Sequence, residues 1–538
     1  MHPYDDNFAH RHLPPADLQP DFLLHLPHFQ LPDSLNCVHF LLDRHIEEGN
    51  GSRIALRTSA FSWTYNELFQ KANQIAHVLV EDMGLQTGNR VLIRSFNNPM
   101  YVACWFGILK AGGIVVATMP LLRTKELDTI VECAEISHAL CDSRLADELG
   151  AVESPFLRHI STFDGGAASG NQELEKAMAS RPVSFTNFST RADSVSIIGF
   201  TSGTTGKPKM TAHYHRDILL ICNTFPPYAL QPKPTDIFSG SPPLGFTFGL
   251  GGLVLFPLFY GASTFLIEKP APDLLLQAIA EFKVTICFTA PTAWRVLTTK
   301  VHEYDITSLR KCVSAGEALP VKVWEDWYAA TGLKIIDGIG ATEMLHIFIA
   351  STEDTYKKGA LGVPVPGYEA RIIDDLGKEL PPGQPGRLAV RGVTGCRYLN
   401  REDKQQEYVL NGWNLTGDIF IKDADGYFSY VSRSDSMIIS SGYNIAAVEV
   451  ESVLITHPEV AECAVIGQPD EERGMLVCAC IVLKDKEKAS EQLAREIQSW
   501  FKSVAAPYKY PREIRFVSAI PKTETGKTQH FKLRTETT

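Results

Sequence analysis

The sequence predicts an α/β protein: a large N-terminal domain of doubly wound sheets carrying a small β-rich subdomain, then a small α+β C-terminal domain. Three observations lead there. A strand–helix–strand pattern with parallel character occupies residues 90–118, and alternating strands and helices resume over 284–331. Short strands broken by Pro381-Pro382-Gly383 and Pro385-Gly386 follow over 371–391. A change of pattern near 433–442 opens a stretch of about a hundred residues, enough for a domain of its own. At 538 residues the chain is too long for a single core. The domains are therefore placed at 1–433 and 434–538.

In chain order, Thr64 and Glu67 have capping-box spacing ahead of a helical pattern at Leu68, Ala72, Ile75 and Leu79. Residues 90–94 read as a strand, 100–110 as a helix ending at Gly112-Gly113, and 114–118 as the next strand. Residues 244–267 carry no charge and are long enough for a bilayer. Gly245, Gly249, Gly251, Gly252, Pro257 and Gly261 instead favour a buried helix followed by a buried strand. Strands at 284–288 and 311–314 alternate with helices at 291–299 and 319–331. Beyond 433 come a helix (446–457), strands (460–466 and 476–483), an amphipathic helix (490–503) and a strand (514–518). Cys478 and Cys480 would share one face of their strand, as core residues.

Composition narrows the function. There are 51 Lys and Arg against 62 Asp and Glu, a net charge of −11. This argues against a general nucleic-acid or anionic-membrane surface. A mean hydropathy of −0.06 suits a soluble globular protein without stable membrane insertion. The eleven cysteines form no CxxC pair and fit a reducing compartment. The polar N-terminal stretch lacks a signal-peptide core, so a cytoplasmic location is expected.

Residues 201–209, Thr-Ser-Gly-Thr-Thr-Gly-Lys-Pro-Lys, directly follow the apolar run 197–200. Glycines allow close backbone approach, hydroxyls and N–H groups can donate to phosphate oxygens, and lysine supplies countercharge. The spacing is not that of a Walker A loop, and Pro208 disfavours helix at Lys207. A plain turn between strands is the alternative. Further along come SAGEALP (314–320), DGIGATE (337–343), TGD (416–418), Arg433-Ser-Asp435, Ser441-Gly-Tyr-Asn444 and PKTETGK (521–527). Each is weak alone; their order is the signal.

Taken together they resemble the adenylate-forming superfamily of acyl-CoA synthetases, peptide-synthetase adenylation domains and luciferases, over nearly the whole chain. DGIGATEMLHIF (337–348) looks like the benzoate-CoA ligase group. SPPLGFTFGLGG (241–252) and DNFAHRHLPP (6–15) are similar to 2-aminobenzoate-CoA ligases. The resemblance implies that a carboxylate attacks the α-phosphate of ATP and that the CoA thiol then attacks the acyl-adenylate. ATP, Mg²⁺ and CoA are thus implied, with a small aromatic carboxylate as substrate.

Two unit charges at about 4 Å repel by roughly 4 kcal/mol at an effective dielectric near 20. That would slow attack by about three powers of ten, so positive charge is needed at the attack site. By resemblance Lys527 supplies it. Thr201, Ser202, Gly203, Thr204, Thr205, Gly206 and Lys207 would grip the β- and γ-phosphates. Thr342 would bond the α-phosphate and Glu343 would hold Mg²⁺. Gly316, Glu317 and Asp337 match positions around adenine, and Asp418 and Arg433 match the ribose site. Asp435 matches the hinge about which a mobile C-terminal domain swings, bringing Ser441, Gly442 and Tyr443 toward CoA.

The implied acyl pocket comprises Phe246, Thr247 and Phe248, then Ala315, Gly338 and Gly340, then Leu345 and His346. His346 would hydrogen-bond a ring substituent; the alternative is a packed core histidine. The chain departs from the family in three places. Ile339 stands where Tyr is widespread, although Ile is also found in the benzoate-ligase pattern. Thr528-Gln529-His530 replaces Ile-x-Arg after Lys527, and Ser432 replaces a frequent Gly before Arg433. Alternative readings are an enzyme that loads a separate carrier protein, a medium-chain acyl-CoA synthetase, and a non-catalytic nucleotide-binding relative. Monomer and homodimer both stay open.

Overall fold

The computed structural model describes residues 4–25, 29–166, 170–201, 208–433, 437–440, 443–470, 474–505, 509–522 and 528–535. The chain divides into two compact units, Met1–Ala370 with Val390–Asn414, and Arg371–Ala389 with Leu415–Thr538.

The first unit is built on two large sheets. The seven-stranded sheet runs Tyr398–Leu399, Lys209–Tyr214, Val195–Thr201, Ile114–Thr118, Arg90–Arg94, His138–Asp142 and His159–Phe163 in spatial order. Its two pairings at the Tyr398–Leu399 end are antiparallel and the rest are parallel. The nine-stranded sheet runs Val363–Pro364, Ile347–Ala350, Ile335–Gly340, Lys311–Ser314, Ile286–Thr289, Ile237–Gly240, Ser263–Phe265, Ile54–Arg57 and Ser62–Thr64. Its central pairings are parallel and its margins antiparallel. Arg90–Arg94, Ile286–Thr289 and Lys311–Ser314 are buried at every position, as strands covered on both faces must be. The doubly wound α/β prediction is met.

Local chemistry explains the element ends. Thr64 caps the helix Tyr65–His77: Glu67 N–H donates to Thr64 Oγ1 (3.1 Å) and Thr64 N–H donates to Glu67 Oε2 (2.7 Å). The helix Pro99–Lys110 starts on an Asn98 cap, with Pro99 where its missing N–H does no harm. It is buried along its whole length, Lys110 included. The Lys110 ammonium donates to Asp43 Oδ1 (2.6 Å) and Asn187 Oδ1 (3.1 Å). The uncharged run near 250 forms Thr247–Leu250, a π-helical widening at Gly251–Leu255, Phe256–Phe259, and the strand Ser263–Phe265. Among the described residues no helix is long and apolar enough to cross a membrane.

In the second unit, Tyr443–Ala446, Met437–Ser440, Gly474–Leu483 and Val460–Asp470 lie side by side, with Glu513–Phe516 parallel to Gly474–Leu483. The expected helix at 446–457 is shorter, Ala447–Leu454, and tightens beyond it into turns in which Thr456 and His457 N–H donate to Val453 and Leu454 carbonyls, ahead of Pro458. Ser490 caps the helix Glu491–Val504 by accepting from Leu493 N–H (3.2 Å). Val450, Leu454, Val465, Ile481, Ile497 and Phe501 form one core cluster. Cys478 and Cys480 belong to another with Ala464, Ile466, Ile520 and Leu533, consistent with packing residues.

The Lys110–Asp43 pair yields a stability prediction. Asp43→Ala strands a buried cation and is expected to cost about 3–5 kcal/mol, whereas Lys110→Met removes the charge with its desolvation penalty and costs less. Denaturant unfolding of the two variants would show it; equal losses would argue that side-chain volume, not charge, matters there.

Candidate active site

The strand Ile335–Gly340 leaves its sheet through a short 3₁₀ turn, Thr342–Met344, and returns antiparallel as Ile347–Ala350. Leu345 makes the reversal at φ +68°, a region that L side chains avoid at a cost of about 1–3 kcal/mol. This corner sends Glu343 and His346 into different surroundings.

Glu343 is only 7% exposed. Tyr398 O–H donates to its Oε1 (2.5 Å), and Lys209 Nζ donates to the Tyr398 oxygen (2.7 Å). Burial, with Glu343 beside it, holds the Tyr398 phenol pKa far above normal, so the phenol keeps its proton. Oε2 of Glu343 makes no hydrogen bond among the described residues. The Thr342 carbonyl accepts from His213 Nε2 (2.8 Å). Burial pushes the His213 pKa down to about 4, leaving a neutral imidazole with Nε2 as donor. Behind it, Asp217 Oδ2 accepts from Arg397 Nη1 (2.7 Å) and from Tyr214 N–H (2.9 Å). The guanidinium of Arg397 lies 3.9 Å from the centre of the Tyr214 ring. The strand Val195–Thr201 passes close to this corner: a Cβ on Gly199 would sit 3.0 Å from Thr342 Cγ2. At the end of that strand, Thr201 Oγ1 is buried without a hydrogen-bond partner among the described residues.

On the other side of the corner, His346 is 3% exposed among aromatic rings. Ring centroids of Phe256, Phe225, Phe248 and Phe288 lie 4.5, 5.8, 5.8 and 6.4 Å from it. Neither imidazole nitrogen has a well-formed hydrogen bond, the Phe248 backbone being the one polar influence on the ring. Burial pushes its pKa down to about 3. A Cβ on Gly251 would lie 2.3 Å from His346 Cδ2, and one on Gly340 would lie 2.8 Å from the His346 carbonyl oxygen. Ala315 and Leu345 are buried, whereas Phe246 and Thr247 are half-buried where their helix begins. Gly338 is closed in by Ile347, 2.9 Å from its notional Cβ.

Asp337 pairs in register with Ser314 on the neighbouring strand and accepts from Gly338 N–H (3.1 Å). Gly316, at φ +93°, is exposed in the loop beyond Ser314, beside half-buried Glu317. In the second unit, Asp418 lies opposite Arg433 on paired strands and accepts from its Nη1 (3.0 Å). Gly417 at φ +76° leaves room for that guanidinium, 3.0 Å from its notional Cβ. Ser202, Gly203, Thr204, Thr205, Gly206, Lys207, Asp435, Ser441, Gly442 and Lys527 lie outside the described residues, and of Tyr443 the backbone strand alone is described.

No sequence pattern marks Tyr398, His213, Asp217 and Arg397, or the rings Phe225, Phe256 and Phe288. Lys209 stands out in the sequence only as the end of the glycine-rich motif. Tyr398 lies in a two-residue strand with no motif around it.

The signature of the AMP-binding enzyme family matches residues 42–397, and that of the AMP-binding enzyme C-terminal domain matches 449–527. The chain belongs to the AMP-binding enzyme family. This AMP-binding enzyme is 34% identical to a benzoate–CoA ligase of Thauera aromatica, over 94% of this chain and 97% of that one. It is 33% identical to a mitochondrial acyl-coenzyme A synthetase of Mus musculus, over 90% and 85%. Among solved structures it resembles an anthranilate CoA ligase in complex with anthranoyl-AMP (TM-score 0.89, 34% identity, 95% of this chain and 99% of that one). It also resembles a benzoate CoA ligase from Burkholderia xenovorans LB400 (TM-score 0.84, 30% identity, 93% and 100%). It is thus an acyl-adenylate-forming ligase of the acyl-CoA synthetase and benzoate-CoA ligase group.

The buried neutral histidines set an acid limit. With folded pKa values of about 4 for His213 and about 3 for His346, the unfolded chain binds more protons once the pH drops below the ordinary value near 6.5. Stability is therefore full above that pH and falls on acidification, by up to about 1.4 kcal/mol per pH unit for each such group. His213→Gln should flatten the dependence of unfolding free energy on pH between about 6.5 and 4 by one proton; an unchanged slope would mean that His213 is protonated in the fold.

Proposed function

We propose that this enzyme forms aryl-CoA thioesters from ATP, CoA and a benzoate-type acid, 2-aminobenzoate or benzoate being the best candidates. The observation that carries the aromatic reading is the dry imidazole of His346 inside a box of four phenylalanines. A flat apolar ring fits such a wall, and an ortho amino group gives the unpartnered imidazole a hydrogen-bond partner. The high likeness to an anthranilate CoA ligase and a benzoate CoA ligase supports it. A straight-chain acid is the second reading, supported by the 33% identity to the mouse acyl-coenzyme A synthetase.

In the first half-reaction the acid's carboxylate oxygen bonds to the α-phosphorus and the bond to pyrophosphate breaks. Lys527 and the 201–207 loop supply countercharge, Thr342 bonds the α-phosphate, and Asp418 with Arg433 holds the ribose. Glu343 fits Mg²⁺: it is a hard oxygen donor with Oε1 held and Oε2 unpartnered. No group of three His, Cys, Asp or Glu able to hold a metal occurs among the described residues. The remaining ligands would then come from phosphate and water, a common pattern for this ion. Bound there, Mg²⁺ neutralises phosphate charge. In the second half-reaction the CoA sulfur attacks the acyl carbonyl and AMP departs.

AMP release on adding ATP, Mg²⁺, CoA and a panel of aryl and aliphatic acids tests the reading; ADP as product would overturn the adenylation mechanism. Lys527→Ala should cripple adenylation and largely spare thioester formation from supplied acyl-adenylate; equal loss of both steps would remove its assigned role. His346→Ala should shrink the preference for 2-aminobenzoate over benzoate by about 3- to 10-fold, the value of one neutral hydrogen bond. An unaltered ranking would leave His346 as core packing.

A further inference from the structure

The contacts around Glu343 point to a role for two residues outside the site as read from sequence. We propose that Tyr398 is a positioning residue for adenylation, holding one oxygen of Glu343 and keeping Lys209 from pairing with that carboxylate directly. The other oxygen then stays open to the divalent cation that accompanies the triphosphate. The proposal rests on the reading of Glu343 as the cation-holding carboxylate.

A buried carboxylate beside a lysine ordinarily forms an ion pair, because an unpaired buried charge is costly. Here the phenol stands between them. Lys209 donates to the Tyr398 oxygen (2.7 Å) and the Tyr398 proton points to Glu343 Oε1 (2.5 Å), a one-directional chain from cation to anion. No salt bridge links Lys209 to Glu343 among the described residues. The ammonium also lies 4.5 Å from the centre of the Tyr398 ring, so the ring face helps to hold it back. Tyr398 itself is held: its backbone N–H donates to Gln405 Oε1 (2.8 Å), and its strand pairs with Lys209–Tyr214 at Tyr398↔Thr211. The carboxylate is thereby fixed without being neutralised, which a cation site built on one side chain requires.

Tyr398→Phe removes the hydroxyl and little volume. Lys209 should then swing onto Glu343 and compete with the cation. The expected result is a Mg²⁺ requirement for pyrophosphate release raised by about 10- to 100-fold, the usual scale for losing a group that orients a metal ligand. At saturating Mg²⁺ the rate should largely recover. Binding of Mn²⁺ to the ATP-loaded protein, followed by Mn²⁺ electron paramagnetic resonance, should weaken in parallel, a readout independent of turnover. Lys209→Met added to Tyr398→Phe should return part of the Mn²⁺ affinity, since the competing cation is gone. A lowered rate with unchanged Mg²⁺ and Mn²⁺ dependence in Tyr398→Phe would overturn the proposal. So would a double variant no better than the single one. If Tyr398→Phe does not fold, Glu343→Gln and Lys209→Met are compared instead. Lys209→Met should then leave Mn²⁺ affinity equal or higher while Glu343→Gln abolishes it; joint loss overturns the proposal. Absence of AMP formation by the unaltered protein with every acid would instead reject the adenylation reading itself.

Discussion

A carboxylate buried at the tip of a hairpin needs polar partners, and Glu343 and its turn find theirs on the other large sheet of the first unit. Glu343 emerges from a turn whose carbonyl at Thr342 is tied to His213 on one strand of the seven-stranded sheet. Its side chain is tied to Tyr398 at the edge of the same sheet. The turn itself belongs to the nine-stranded sheet. Two independently wound sheets therefore meet at one charged residue, and the corner's geometry follows from the register of both.

The same corner gives one short segment two unlike surroundings. Thr342 and Glu343 stand where hydroxyl, phenol and ammonium groups gather. Three residues on, past the unfavourable backbone of Leu345, His346 is surrounded by phenylalanine. A polar surrounding suits phosphate and metal; an apolar one suits an arene. The abrupt change over four residues needs the tight reversal, which is reason enough for the fold to tolerate a leucine at φ +68°.

Much of this was legible in the chain. The capping box at Thr64 and Glu67, the strand at 90–94, the helix through 100–110 and the alternating elements after 284 depend on local periodicity and caps. Their ends move by a residue or two where a proline or cap decides. His346 stands out by its motif, but the rings of Phe225, Phe256 and Phe288 packed around it do not. They lie on separate elements, and apolar periodicity shows that each is inside without showing what it faces. Tyr398 is the sharper case: fifty-five residues separate it from Glu343. A two-residue strand has no periodicity, and only antiparallel pairing beside Lys209–Tyr214 delivers its hydroxyl. Local chemistry is written along the chain; cross-sheet register is settled only when the sheets close.

The contact between Gly251 and His346 bears on how such a packed cluster changes over generations. The imidazole occupies the space a side chain at 251 would fill, so the two positions act as one unit of variation. A larger residue at 251 is tolerated only after 346 has shrunk, and a smaller residue at 346 opens a hole beside a glycine that cannot fill it. New shapes at this spot are thus reached through paired replacements or through a temporarily weakened intermediate, and a single drift at either place is held in check by the other.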